Sequence, residues 1–459
     1  LFFVTLGVLT AALSGCSKTE TVETTVERAP MIMFAVDGME WEVMKPLIAD
    51  GKLPNMERLM KRGVYGYLLS MQPTYSAVIW TSVATGKIPQ KHGILHFVYE
   101  QQVRGGKEYR YYTSGHRKTK AFWNILSDYM LDVDCIGWWM TYPAERVNGV
   151  MVTQTNTTGV LRNPQRALWK GALLKGVEDQ VYPPEMQNQV MTLLEAVDRD
   201  LDSITDGIFG RPPHPLNGFS QLMWDQAQWA FRADATYVRV AKDIIERGMN
   251  FDLMALYLGG PDVAGHRFWR YGYPEEFANP PDAEQIENFG SIIGDHYIYV
   301  DSIIGDILEM LPPETDVLVV SDHGMHAINE NRVFNKDDPP LYTNSAHHLD
   351  APAGIIIAAG ERFKSSDSGE INLERIPTLG GVLDLLPTIL AMKGIPVGED
   401  MDGAPIKDII DPGWLEKSGI SYVPTHDTEK WLAGRNERIR DAIDQSERLE
   451  QLRSLGYIK

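Results

Sequence analysis

Two hydrophobic rhythms alternate along this chain. Residues 31–36 (Met-Ile-Met-Phe-Ala-Val) form an unbroken apolar run that stops at Asp37-Gly38, the pattern of a strand buried on both faces. Further runs predict strands over 66–71, 134–139, 251–258, 316–320 and 354–359. Between them the pattern predicts helices over 44–62, 76–84, 121–129, 287–310 and 381–392, with Pro54 fitting a helix start. Strands alternating with helices predict an α/β fold, a three-layer sandwich with a mainly parallel central sheet and helices on both faces. Two stretches break the rhythm. Residues 97–120 hold Tyr109, Tyr111, Tyr112 and several basic residues between turn signals, and residues 153–226 are polar, proline-containing and partly helical. Both read as insertions capping the carboxyl end of the sheet, where substrate choice is usually made. The tail, 413–459, is charge-rich and carries a helical pattern that includes Ile439, Ala442 and Ile443. No internal repeat is present.

The chain has 459 residues, enough for one large α/β domain with insertions, here placed at 31–412. Lys plus Arg is 43 against 62 for Asp plus Glu, a net charge of −19. Such an acidic chain does not suit a nucleic-acid polymer, which needs a basic stripe. A small phosphate ester stays open as a partner, because its charge can be met locally. Residues 1–13 are apolar and uncharged, too short to span a bilayer but suited to a signal-peptide core. Leu13-Ser14-Gly15-Cys16 follows directly and resembles the bacterial lipobox, which makes Cys16 the first mature residue and its lipid the membrane anchor. Residues 17–30, rich in Thr and Glu, then read as a flexible tether. The expected location is the bacterial cell envelope, exported and lipid-anchored, facing the periplasm or the exterior. The other cysteine, Cys135, sits in an apolar run and reads as core packing.

Four segments change the picture from fold to chemistry. They are Val36-Asp37-Gly38, Pro261-Asp262-Val263-Ala264-Gly265-His266, Ser321-Asp322-His323-Gly324 and Ser345-Ala346-His347-His348. Three carboxylates and several imidazoles form the ligand mix for two divalent ions, zinc by preference, with manganese or iron as alternatives. The first three segments follow predicted strands, and open α/β sheets collect ligand groups past the carboxyl ends of their strands. Asp262 and His266 stand four apart, so one helical turn would aim both at one ion.

Residues 72–94 resemble the alkaline phosphatase superfamily, especially its type I phosphodiesterase/nucleotide pyrophosphatase branch. In that group a Ser or Thr nucleophile opens a helix nine residues before the Thr of a Thr-Gly pair. Counting back from Thr85-Gly86 gives Ser76, and Pro89-Gln-Lys-His92-Gly93-Ile94 matches the family's Pro-x-x-His-Gly-Ile. Thr81 and Ser82 are rival hydroxyls whose register places them inside the helix. The resemblance, which covers 31–412, implies that Asp37, Ser76, Asp322 and His323 hold one metal and that Asp262, His266 and a late histidine hold the other. The family's Ser-Gly-x-His register favours His348 over His347 for that histidine, with Ala346 in place of the usual Gly.

The implied reaction is a two-step in-line displacement at phosphorus through a phosphoserine on Ser76. Nucleotide-processing members carry an Asn shortly after His-Gly-Ile; here Phe97 stands at that spacing, beside His96. Phosphomonoester hydrolysis and phospho-group transfer to a glycan or lipid therefore stay open beside phosphodiester hydrolysis. A sulfatase is disfavoured because the chain lacks Cys-x-Pro-x-Arg. A non-catalytic lipoprotein that binds a ligand fits poorly with an intact nucleophile beside an intact ligand set.

Overall fold

Alternate residues of the strand Met31–Val36 enter two different cores. Ile32, Phe34 and Val36 join one apolar cluster, while Met31, Met33 and Ala35 join another. A strand with both faces covered has no polar side, which is why its sequence is a continuous apolar run. The computed structural model describes residues 26–104, 106–154, 172–328, 344–366 and 368–434.

The main sheet has nine strands, in the order Thr378–Gly381, Val64–Leu69, Gly354–Ala359, Asp316–Val320, Met31–Val36, Leu253–Leu258, Val133–Trp138, Met151–Thr153 and Val181–Tyr182. Gly354–Ala359 runs antiparallel to both its neighbours, and Val181–Tyr182 runs antiparallel to Met151–Thr153; the other pairings are parallel. The fold is the mixed α/β sandwich expected, with a mostly parallel sheet. On the Phe34 face pack helices Trp41–Ala49, Pro54–Arg62, Gln187–Phe209, Gly218–Glu246, Gly260–Gly272 and Ile292–Met310. The Met33 face is covered by Ser76–Thr85, Phe122–Asp128 and Leu385–Met392.

The three central strands decide the site. Met31–Val36 pairs in parallel with both Leu253–Leu258 and Asp316–Val320. Their carboxyl ends therefore lie side by side, and each continues into one of the acidic segments. Residues as distant in sequence as Asp37 and Asp322 are thereby brought together at one end of the sheet.

Several predicted elements differ in extent. The helix expected over 44–62 is two helices, because the chain turns through Gly51 at φ +67° between them. The one expected over 287–310 is likewise divided into Ala283–Phe289 and Ile292–Met310. Over 381–392, a strand ending at Gly381 and a short 3-10 turn precede the helix Leu385–Met392.

Within 97–120, Val98–Val103 and Gly106–Tyr111 form an antiparallel hairpin. Of the stretch 153–226, residues 155–171 lie outside the described residues; the remainder supplies the edge strand Val181–Tyr182, the helix Gln187–Phe209 and the start of Gly218–Glu246. Cys16 with the signal segment, most of the tether and the tail beyond residue 434 also lie outside the described residues. The described tail contains helices Pro412–Ser418 and Glu429–Ala433. Among the described residues, no helix is long and apolar enough to cross a membrane.

Candidate metal centre and nucleophile

Asp37 leaves the end of its strand with 1% exposure, and Gly38 follows at φ +73°. A Cβ on Gly38 would lie 2.7 Å from the Cα of Asp262. The Asp-Gly pair thus needs its glycine twice: for the left-handed turn and to let the helix bearing Asp262 approach. That helix, Gly260–Gly272, is held at its start by Asp234 from the neighbouring helix. The two Asp234 oxygens accept from the backbone N–H of Gly259 at 3.1 Å and of Gly260 at 2.6 Å.

The carboxylates and imidazoles converge in two overlapping groups. Asp37, Asp322 and His323 form one, and Asp262, His323 and His348 the other, each with its donor atoms within 4.8 Å of one another. His323 Nε2 lies 3.4 Å from Asp37 Oδ1 and 3.3 Å from Asp322 Oδ2. Asp262 Oδ1 lies 3.5 Å from His266 Nε2 and 4.0 Å from His348 Nε2. The rings of His323 and His348 stack with centroids 4.1 Å apart. His347 belongs to neither group; it pairs with His326 in a two-residue bridge, and its Nδ1 accepts from Leu349 N at 3.2 Å.

The donor set fits divalent cations. His323 Nδ1 lies 3.1 Å from the carbonyl of Gly324, and His266 Nδ1 lies 2.8 Å from that of Ala346. A carbonyl can only accept, so both Nδ1 atoms carry the proton, and each neutral ring turns its Nε2 lone pair toward carboxylate oxygen. Burial holds both imidazoles below their ordinary range, His266 down to about 4, which keeps them neutral. Lone pairs facing anionic oxygens repel unless a cation lies between them. The Asp322 carboxyl is pushed well upward by burial first and by the Asp37 carboxylate next. Asp322 Oδ2, His323 Nε2 and His348 Nδ1 are buried without a hydrogen-bond partner among the described residues. Buried like charges with unused lone pairs are the environment a metal ion would relieve.

Ser76 is the first residue of the helix Ser76–Thr85 and is 4% exposed. The extended residue before it is Tyr75, so the Ser76 hydroxyl is not the helix cap. Its Oγ lies 3.5 Å from Asp37 Oδ1. The rival hydroxyls point elsewhere: Thr81 Oγ1 donates to Ala77 O at 2.7 Å, and Ser82 Oγ donates to Val78 O at 3.0 Å. His92 of the His-Gly-Ile segment is fully buried, and its Nε2 lies 2.9 Å from Ser82 Oγ. Its Nδ1 accepts from Ile94 N at 3.2 Å, so that motif ties the following turn to the Ser76 helix. Phe97 is 3% exposed, its ring 5.2 Å from that of Trp139. Beside it, the His96 ring meets Tyr75 edge-on at 4.6 Å.

Residues that the sequence motifs do not single out also shape the cluster. Tyr257 and Trp80 both donate to Asp37 Oδ2, and Thr74 Oγ1 donates to the carbonyl of His348. A carboxylate on a buried helical stripe is a readable signal for Asp234, lying between Phe231 and Val238. Nothing in the local sequence distinguishes Tyr257 or Trp80 from ordinary core aromatics.

The mostly parallel sheet and its flanking helices are those of an alkaline phosphatase-like α/β fold. The family model for type I phosphodiesterase / nucleotide pyrophosphatase matches residues 31–373, and the chain belongs to that family. Its members are metal-dependent phosphoric ester hydrolases. Comparison with curated proteins gives no match.

Proposed function

We propose that the protein hydrolyses small phosphodiesters through a phosphoserine formed on Ser76, with two divalent ions, zinc by ligand chemistry, held at the acid–histidine cluster. The observation that carries this reading is the Ser76 hydroxyl, buried at a helix start 3.5 Å from Asp37 Oδ1, while Thr81 and Ser82 are engaged within the helix. Asp37, Ser76, Asp322 and His323 would hold one ion; Asp262, His266 and His348 would hold the other. Bound divalent ions supply positive charge that lowers the hydroxyl's pKa and offsets charge on the phosphoryl oxygens.

The chain's own groups do the rest. The amino-terminal end of the Ser76 helix, with its partial positive charge, would favour an incoming anionic phosphate. Ser76 Oγ attacks phosphorus, the ester oxygen opposite leaves, and water then cleaves the Ser76 O–P bond. The tautomers fixed by Gly324 O and Ala346 O keep both Nε2 atoms available as ligands.

Phe97 favours a second reading. With an apolar ring buried against Trp139, the side chain at that position offers no hydrogen-bond donor to a phosphoryl oxygen. Monoester hydrolysis, or transfer of a phospho-group to a glycan or lipid acceptor, remains compatible with the same cluster. Turnover of a nitrophenyl diester and its monoester by wild type, Ser76→Ala and Thr81→Ala tests both readings. The diester should be preferred, Ser76→Ala should abolish turnover with both ions retained, and Thr81→Ala should keep it. Activity surviving in Ser76→Ala but lost in Thr81→Ala would overturn the assignment of the nucleophile.

A further inference from the structure

Asp37 is held asymmetrically. Its Oδ2 accepts two hydrogen bonds, from Trp80 Nε1 at 3.1 Å and from the Tyr257 hydroxyl. Its Oδ1 faces the site, 3.5 Å from Ser76 Oγ and 3.4 Å from His323 Nε2. The direction of the Tyr257 bond is fixed by a third ring. Trp139 Nε1, which can only donate, gives its proton to Tyr257 OH at 2.8 Å. The phenol's acceptor side is thereby engaged, and its own proton goes to Asp37. Trp80, Trp139 and Tyr257 are each at most 2% exposed, and the Trp80 ring meets Tyr257 edge-on at 5.5 Å. Burial and ring packing of this kind hold the two donors in place.

We propose that Tyr257 and Trp80, with Trp139 behind Tyr257, are positioning residues that hold Asp37 as a one-oxygen metal ligand aimed by Oδ1 at the Ser76 side of the cluster. The inference rests on the reading of Asp37 as a ligand. Two donors on Oδ2 draw charge to that oxygen and block rotation of the carboxylate into a two-oxygen grip. The selection acts on the ion on the Ser76 side, because the oxygen left free of the two donors, Oδ1, is the one that faces Ser76 and His323. Phe97 packs edge-on against Trp139 in the same group of rings.

The test is metal affinity, measured by chelator competition on the purified full chain with zinc as the probe. Tyr257→Phe keeps the ring and removes the donor; Trp80→Phe removes the indole donor and provides an independent second variant. Each should weaken one of the two ions by about tenfold or more, within the range typical of groups that support a ligand, and leave the other unchanged. In an Asp37→Asn background, Tyr257→Phe should have no further effect on the ion that remains, because the carboxylate it orients is gone. A structural role alone would persist in that background and shift both ions. Wild-type affinities in Tyr257→Phe and Trp80→Phe, or an effect that survives Asp37→Asn, would overturn the proposal. Loss of one ion in Asp37→Asn with no loss in Tyr257→Phe sinks the positioning role alone. Wild-type affinities in Asp37→Asn itself sink the ligand reading on which it depends.

Discussion

Asp234→Ala separates support of the site from the site itself. Asp234 lies on Gly218–Glu246, is 2% exposed, and accepts from the N–H groups of Gly259 and Gly260 at 3.1 and 2.6 Å. These bonds fix the start of the helix that carries Asp262 and His266 within its first two turns. Hydrogen bonds to a charged group are worth roughly 1.5–3 kcal/mol each, and the alanine variant leaves both donors buried and unmet. The expected loss is therefore about 3–6 kcal/mol of folding stability, at the high end for a single substitution. Asp234→Asn retains one acceptor oxygen and sets an amide against the other N–H, so its loss should fall between wild type and alanine. Gly260→Ala is a steric counterpart, since its Cβ would lie 2.7 Å from Asp234 Oδ2 and 2.9 Å from His296 Nδ1. The assay is denaturant unfolding of metal-free and zinc-loaded protein for all three variants. Metal-dependent stabilisation should shrink in Asp234→Ala, because the helix start that aims Asp262 is loosened. A loss below about 1 kcal/mol for alanine, or asparagine as damaging as alanine, would refute the capping argument.

Gly38→Ala should lower stability and metal affinity together, since φ +73° and a Cβ 2.7 Å from Asp262 Cα force the strand end and the helix apart; affinity titration and unfolding check it. His92 is buried neutral, its pKa pushed down to about 3 chiefly by burial, with Arg117 and Lys118 adding to the shift. The unfolded chain binds this proton first as pH falls, so the contribution is complete above the ordinary histidine value near 6.5. It is lost on acidification toward 3, with a slope on the order of 1.4 kcal/mol per pH unit. A His92→Gln variant, unfolded across pH 4–8, should show a flatter profile, and an unchanged slope would refute this. Chelation should stop ester hydrolysis and lower the unfolding temperature, with zinc restoring both; at a hundredfold excess over its Kd one ion stabilises by about 2.7 kcal/mol.

The strands Met31–Val36, Asp316–Val320 and Gly354–Ala359 coincide with their predicted runs, because a strand covered on both faces reads as a nearly continuous apolar run. Where side chains do not report the break, boundaries were harder to read. The turn at Gly51 and the division before Ile292 rest on backbone conformation, which apolar spacing averages away. The helix Gly218–Glu246 was legible only in part. Its apolar positions, among them Met223, Ala227, Phe231 and Val238, keep a helical spacing that continues past residue 226.

By itself the sequence determined the chemistry available: three carboxylates, the imidazoles and a serine at a helix start, in motifs specific enough to indicate the family. Residue type and local spacing carry that information, because they set what each group can donate, accept or ligate. Only the tertiary structure decided how those groups face one another. It set Asp37 and Asp322 at the ends of adjacent strands, turned two imidazole lone pairs toward carboxylates, and gave His348 rather than His347 a place in the cluster. It also assigned Tyr257 and Trp80 to the back of Asp37, a role no local pattern encodes. The reason is physical: the direction of a lone pair and the burial of a charge arise from packing between distant segments.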